Sequence, residues 1–141
     1  MKIEASMVLW AALAAAAVAH ADPKAAAPAA GRVFELRTYT ASPGKLDALN
    51  ARFREHTVAL FKKHGMEVVA FWEPTDKEAG AGEKLVYLLA FPSRAAADAA
   101  WKEFRADPEW IKVKAESEVG GVLAAHIDSV FMSPTDYSPL K

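Results

Sequence analysis

The strongest constraint on the fold is a pair of extended segments that are apolar on both of their faces. The first, residues 66–73, places Val68 and Trp72 on one side and Phe71 on the other, and the second, residues 84–91, is an almost unbroken apolar run. Alternate side chains of a β-strand point to opposite faces of its sheet. A sheet that contains both strands must therefore be covered on both faces.

The order of the elements limits what can pack on each face of this sheet. In chain order the pattern predicts a strand at residues 33–41, a helix from Ser42-Pro43 to His64-Gly65, the two apolar strands, a helix after Ser93 that restarts at Asp107-Pro108, and a strand at residues 122–132. This β-α-β-β-α-β order is the split βαβ plan of an α+β, ferredoxin-like fold. Its two helices cover only one face of the sheet. Because soluble monomers rarely expose a large apolar face, we expect a homodimer in which two sheets pack face to face.

The N-terminal segment predicts export. Residues 1–21 contain an alanine-rich apolar stretch that closes with Ala19-His20-Ala21, the pattern of a secretory signal peptide cleaved after Ala21. The apolar stretch is short for a membrane span, although the alternative of an uncleaved anchor stays open. We expect a periplasmic or secreted protein with no stable membrane span after cleavage. An Ala/Pro-rich spacer at residues 22–31 would lead to a domain at residues 32–134 and a tail at residues 135–141.

Composition excludes several classes of function. The chain has no cysteine and a formal net charge of -1. It therefore lacks disulfides and thiolate chemistry, and it lacks the basic surplus of a nucleic-acid binder. The histidines show no metal-ligand spacing and there is no glycine-rich phosphate loop. We expect no metal and no cofactor, although a single histidine can serve as an axial haem ligand.

The first candidate site lies on the sheet. In a ferredoxin-like order the first and fourth strands are neighbours, so Glu35, Arg37 and Tyr39 would share a face with His126 and Asp128. A cation, a phenol, an imidazole and a carboxylate together suit acid–base chemistry or anion binding. The alternative is that the same side chains form cross-strand ion pairs at a dimer interface.

The second candidate site lies between the first helix and the sheet. His56 falls at the edge of the helix's apolar stripe and Thr57 falls within it. Together with Trp72 they would line a ligand pocket. The alternative makes His56 a boundary residue that only covers the core, and His64 a residue that complements the helix dipole.

Four motifs carry a resemblance to a known family. In chain order they are FELRTYTASPGK at residues 34–45, FREH and KHGM within residues 53–66, the pair Phe71-Trp72, and DPEW at residues 107–110. The chain resembles the NIPSNAP domain. The resemblance implies the dimeric α+β barrel superfamily, which includes cofactor-independent monooxygenases, haem-degrading enzymes and small cyclases.

The third predicted strand departs from the family pattern. Tyr87, Leu89 and Phe91 stand where the family commonly has histidine, tryptophan and tyrosine. A ligand mode that depends on those polar residues is therefore not implied here. A shared fold also does not assign a reaction.

Three functions remain from the sequence. The first is an exported protein of unassigned activity that binds a small hydrophobic molecule between the sheet and the first helix. The second is a cofactor-independent oxygenase or cyclase with His56 or His126 as base and Arg37 or Tyr39 stabilising an oxyanion. The third is a scaffold for a protein partner.

Overall fold

The protein is described by a computed structural model that covers residues 31–141. The predicted signal peptide at residues 1–21 and residues 22–30 of the predicted spacer lie outside the described residues. Four strands form one sheet, in the order β2-β3-β1-β4 with every neighbouring pair antiparallel. The strands are β1 Val33–Ala41, β2 Glu67–Trp72, β3 Lys84–Phe91 and β4 Ala124–Met132. The predicted ferredoxin-like α+β architecture is confirmed.

The helices follow the predicted order. They are α1 Leu46–Arg52, α2 Val58–Lys63, α3 Arg94–Ala106 and α4 Pro108–Ser117, with a short 3-10 turn at Lys77–Ala79 between β2 and β3. A π-helical segment, Phe53–Thr57, joins α1 to α2, so residues 46–63 form one continuous helix, called the first helix below. Within residues 31–141, none of these helices is both long and apolar enough to cross a membrane.

The start of the first helix differs from the prediction. Ser42 and Pro43 do not cap it, because the residues after β1 form a turn in which the Lys45 amide donates to the Ser42 carbonyl at 2.9 Å. Gly44 has a φ of 72°, as the third position of a type II turn requires, and proline favours the second position. The helix therefore begins only at Leu46.

The end of the first helix matches the prediction. Gly65 has a φ of 69°, and its amide donates to the Lys62 carbonyl while the Met66 amide donates to the Phe61 carbonyl. These two bonds form a Schellman motif, which glycine favours because it has no Cβ. The chain is thereby turned directly into β2.

The predicted helix restart at Asp107-Pro108 is also present. Asp107 caps α4 by accepting from the Glu109 amide at 2.8 Å, and it accepts a hydrogen bond from Lys63. Oδ2 of Asp107 lies 2.7 Å from Nε2 of His64. His64 therefore contacts a carboxylate in addition to lying at the end of the first helix. The bonds from Lys63, His64 and Glu109 hold the pKa of the Asp107 carboxyl well below its usual range.

The core lies between the helices and one face of the sheet, called the helix face. It is aromatic, with Phe61 packed against Tyr87, Trp101 and Phe104 at ring-centroid distances of 5.8, 5.6 and 5.1 Å. Tyr87 is fully buried, and burial raises the pKa of its phenol well above the ordinary value. Such edge and tilted ring pairs add to the burial of apolar area.

The opposite face of the sheet, called the outer face, has no helix on it. At one end the C-terminal tail lies beside it, where Pro134 and Leu140 share a groove with Phe34 and Leu88. Elsewhere the face is open: Trp72 is 51% exposed, and Val130 is also exposed. A large apolar area is therefore left uncovered in a single chain.

Candidate functional site

The strand register divides the first predicted site between the two faces. Glu35 lies opposite Phe131, and Arg37 lies opposite Ser129. His126 is instead opposite Thr40, and Asp128 is opposite Thr38. Residues directly opposite each other in antiparallel strands share a face, so His126 and Asp128 lie on the outer face. The prediction that they join Arg37 and Tyr39 is wrong.

On the outer face the two polar residues pair only with each other. Nε2 of His126 lies 3.0 Å from Oδ1 of Asp128, and both side chains are exposed. The side chains of β4 alternate between the faces as its sequence predicts, but alternation does not say which of the two sets shares a face with Arg37. That choice depends on the register between the strands.

Glu35 is the centre of the helix-face site. Its side chain is 1% exposed, and its carboxylate accepts three hydrogen bonds: from Arg37 at 2.7 Å, from the indole nitrogen of Trp101 at 2.5 Å and from the Ser129 hydroxyl at 2.6 Å. A buried carboxylate needs such partners, because an uncompensated buried charge is costly. Glu35 thus fixes the positions of Arg37 and Trp101.

Arg37 is held in a mostly buried place. Its guanidinium lies 4.2 Å from the centre of the Trp101 ring and 3.5 Å from the Tyr39 hydroxyl. Burial alone would lower the pKa of Arg37, but Tyr39, Tyr87 and Glu35 raise it above its ordinary value, so Arg37 stays charged. Its Nε is buried and has no hydrogen-bond partner.

Arg37 and Tyr39 open onto a cleft of about 630 Å³ between the β1–β4 side of the sheet and the helices α3 and α4, called the sheet–helix cleft. Its apolar lining includes Trp101, Trp110 and Ile127. A volume of this size lies within the range of about 300–1,000 Å³ that is typical of small-molecule sites. The cleft exists because the helices leave β4 partly uncovered, and Ile127 on the helix face of β4 remains exposed.

A second arginine lines the same cleft. The side chain of Arg52 is 4% exposed and pairs with Glu118 at 2.9 Å, and its guanidinium lies 5.2 Å from the centre of the Trp110 ring. Sequence reasoning missed this residue. The available signal was its place three residues after Leu49, on the buried stripe of the first helix.

The residues of the second predicted site are not brought together. His56 is half-exposed, with its ring 3.9 Å from Glu55, and it lines a shallow groove against α4. Thr57 is buried, as the helical stripe predicted, but its hydroxyl donates to the Arg52 carbonyl at 3.2 Å. Trp72 points to the outer face. The smaller groove between the first helix and the sheet is lined by others, including Phe53 and Phe71.

The described part of the chain, residues 31–141, contains no group of three or more His, Asp or Glu side chains placed to hold a metal ion. The chemistry of the sheet–helix cleft is instead that of three guanidinium groups, an ammonium, a phenol and two indole rings. Such a surface can bind a flat or anionic small molecule.

Comparison with known proteins agrees with this fold. The NIPSNAP family model matches residues 34–139. No curated protein matches this chain. A NIPSNAP family protein of unknown function from Agrobacterium tumefaciens superposes with a TM-score of 0.68 at 22% identity, over 79% of this chain and 96% of that one.

Two further crystal structures are similar. An uncharacterized NIPSNAP-like domain protein from Burkholderia xenovorans gives a TM-score of 0.67 at 16% identity, covering 79% of this chain and 93% of that one. A protein described as a candidate antibiotic biosynthesis monooxygenase, from Bacteroides thetaiotaomicron, gives 0.52 at 18% identity, covering 80% and 97%. At these identities the similarity concerns the fold alone.

Removing the Glu35 carboxylate tests its central position. We expect Glu35→Ala to lower the free energy of unfolding by about 3 kcal/mol, because it leaves the mostly buried Arg37 without its ion-pair partner. The exposed Arg94–Asp98 pair provides the control, since Asp98→Ala should cost less than about 1 kcal/mol. Urea unfolding measures both variants. Equal small losses would mean that Glu35 behaves as a surface charge.

Proposed function

This chain belongs to the NIPSNAP family, and we propose that its domain binds a small, largely apolar molecule in the sheet–helix cleft. The observation that carries the proposal is the cleft itself, whose walls combine the indole rings of Trp101 and Trp110 with the aliphatic side chain of Ile127. The bound molecule would lie against α3 and α4 as well as the first helix. The sequence pattern predicts a pocket between the sheet and the first helix, without α3 and α4.

The mouth of the cleft supports this proposal. Ile111 and Val122 line it and are both exposed. Concave apolar surface with a few placed polar groups is the usual form of a small-molecule site. A ligand that covers these side chains would remove apolar area from water, at roughly 25 cal/mol for each Å².

A cofactor-independent oxygenase or cyclase is the second candidate. Its support is the fold-level similarity to the candidate monooxygenase from Bacteroides thetaiotaomicron, together with Tyr39 and Arg37 inside the cleft. Neither His56 nor His126 lines the cleft. A base at either position would have no contact with a molecule bound there, so binding is the function that the geometry favours.

We also propose that two chains pair through their outer faces. Trp72 and Val130 are exposed there with no helix to cover them, and a second copy would bury both. A protein partner of another kind, as the scaffold hypothesis requires, would use the same surface. The oligomeric state of the purified chain distinguishes a homodimer from a monomer that binds another protein.

Export is proposed on the pattern of residues 1–21 alone. Cleavage after Ala21 would leave a chain that begins at Asp22. The chain has no cysteine, so no thiol would be exposed to oxidation in an oxidising compartment.

Filling the sheet–helix cleft tests the binding function. We expect the neutral fluorescent probe N-phenyl-1-naphthylamine to bind saturably, and Ala115→Trp to weaken it by about tenfold because the new ring occupies part of the cleft. Ala99→Trp, an exposed alanine on α3 that does not line the cleft, should leave the affinity unchanged. Fluorescence titration measures all three proteins. No saturable binding by the unaltered protein would refute the proposal.

Charging the outer face tests the dimer. The unaltered chain should show twice its monomer mass by light scattering. Trp72→Lys or Val130→Lys should weaken the dimer by roughly 100-fold, since the ammonium would be buried without a partner. The control is Val119→Lys, because Val119 is exposed but lies outside the sheet. A monomeric unaltered protein, or equal effects from all three variants, would contradict the dimer.

Mass spectrometry of the protein produced in a Gram-negative host tests export. We expect a periplasmic species that begins at Asp22. Ala21→Arg should leave the uncut precursor, because signal peptidase requires a small residue before the cleavage point. Ala27→Arg in the spacer should be processed normally. A full-length cytosolic chain would show that residues 1–21 are not a signal peptide.

A further inference from the structure

We propose that the sheet–helix cleft selects an organic anion, namely an aromatic carboxylate, and that Arg37 and Tyr39 receive the carboxylate group. This inference rests on the proposed binding function and adds the charge and chemical class of the ligand. Three observations carry it: the charge balance of the cleft, the unused hydrogen-bond donors of its arginines, and the pairing of guanidinium groups with indole rings.

The cleft is positively charged although the chain is not. Its cationic lining residues are Arg37, Arg52, Arg105 and Lys114. Two carboxylates oppose them, Glu118 in the lining and Glu35 behind Arg37, so four positive and two negative charges leave a surplus of two. The whole chain has a formal net charge of -1. A concave surface with one sign of charge concentrates ligands of the opposite sign.

The surplus lies with the exposed residues of the lining, because each buried arginine is paired with a carboxylate. Within residues 31–141, neither Arg105 nor Lys114 forms an ion pair; the pairs at the cleft are Arg37–Glu35 and Arg52–Glu118. Both unpaired cations are exposed. They would attract an anion to the mouth, whereas the buried arginines would hold it.

Arg37 retains donors that its protein partners do not use. One terminal nitrogen donates to Glu35 at 2.7 Å, the other makes only a long contact of 3.5 Å with the Tyr39 hydroxyl, and Nε has no partner. A guanidinium carries five N–H donors. The Tyr39 hydroxyl carries one O–H, which can turn to a ligand or to the neighbouring Tyr87 hydroxyl. Two donors this close together suit the two oxygens of one carboxylate.

Arg52 is the second buried arginine of the lining. It donates to Glu118 and Ser117, but its Nε is buried without a partner. A buried donor without an acceptor is unfavourable, but Nε is enclosed at both arginines, so an anion in the cleft would meet their terminal nitrogens.

The aromatic part of the proposed ligand follows from the indole rings. Each of the two buried cleft arginines lies near an indole, Arg37 at 4.2 Å from the Trp101 ring centre and Arg52 at 5.2 Å from that of Trp110. Guanidinium and indole groups are both planar and both stack on aromatic rings. A flat ring therefore suits these walls better than a branched aliphatic chain, and the volume of about 630 Å³ leaves room for two fused rings.

The test compares 2-naphthoate with its neutral methyl ester by calorimetry at pH 7. We expect the unaltered protein to bind the carboxylate at least about tenfold more tightly than the ester, as a charge-assisted hydrogen bond would give. This preference should shrink as salt rises. The double variant Glu35→Gln/Arg37→Met removes both charges of the buried pair, so neither is left unpaired, and should reduce the preference to about one. Lys102→Met, an exposed lysine of α3 outside the cleft, should retain it.

A milder variant supports the test if the double variant does not fold. Tyr39→Phe keeps the ring and removes one donor, so it should weaken binding of the carboxylate severalfold and leave binding of the ester unchanged.

Equal binding of both ligands by the unaltered protein would overturn the inference but leave the proposed binding function intact. Failure of both ligands and of the neutral naphthylamine to bind would instead refute that function. A preference that survives the Arg37 and Tyr39 changes but disappears in Lys114→Met would overturn the assignment to Arg37.

Discussion

The carboxylate of Glu35 links three elements of the fold at one point. It lies on β1, and it binds Ser129 of β4 and Trp101 of α3 while it pairs with Arg37 two residues along its own strand. Because this carboxylate is almost completely removed from water, each partner is needed to offset its desolvation. The positions of Arg37 and Trp101, and with them the base of the cleft, depend on that requirement.

The cleft itself results from uneven cover of the helix face. On β3 the side chains of Tyr87, Leu89 and Phe91 are fully enclosed by the helices, whereas Ile127 on the edge strand β4 stays exposed. The long α3 and the shorter α4 pack over the opposite side of this gap and contribute indole rings to it. The cleft therefore forms where the core ends, and its apolar walls remain accessible to solvent.

The two faces of the sheet carry different kinds of residue. The helix face holds the core and the buried ion pairs, and the outer face holds Trp72, Val130 and the exposed His126–Asp128 pair. A helix-free apolar face is what the two-sided character of β2 and β3 predicted. The His126–Asp128 pair lies on the outer face, away from the cleft, so it takes no part in the chemistry of the cleft.

Local sequence signals predicted local structure well. The alternation of residues 33–41 gave the bounds of β1, Ser93 and Asp107 were identified as helix starts, and Gly65 was identified as a helix end. These features depend on neighbours within a few residues. The turn at Pro43 and Gly44 was the exception, because proline suits both a first helical turn and a type II turn.

The candidate site needed information that no local pattern contains. Whether His126 lies on the same face as Arg37 depends on the register between β1 and β4. A shift of one residue in that register would move His126 to the other face. Arg52 and Trp101 read as ordinary members of helical stripes, and only packing brings them to one cleft. The sequence by itself thus determined the elements, their order and the apolar excess of the sheet. Tertiary structure decided which charges meet, because side chains far apart in the chain come together only when strands and helices pack.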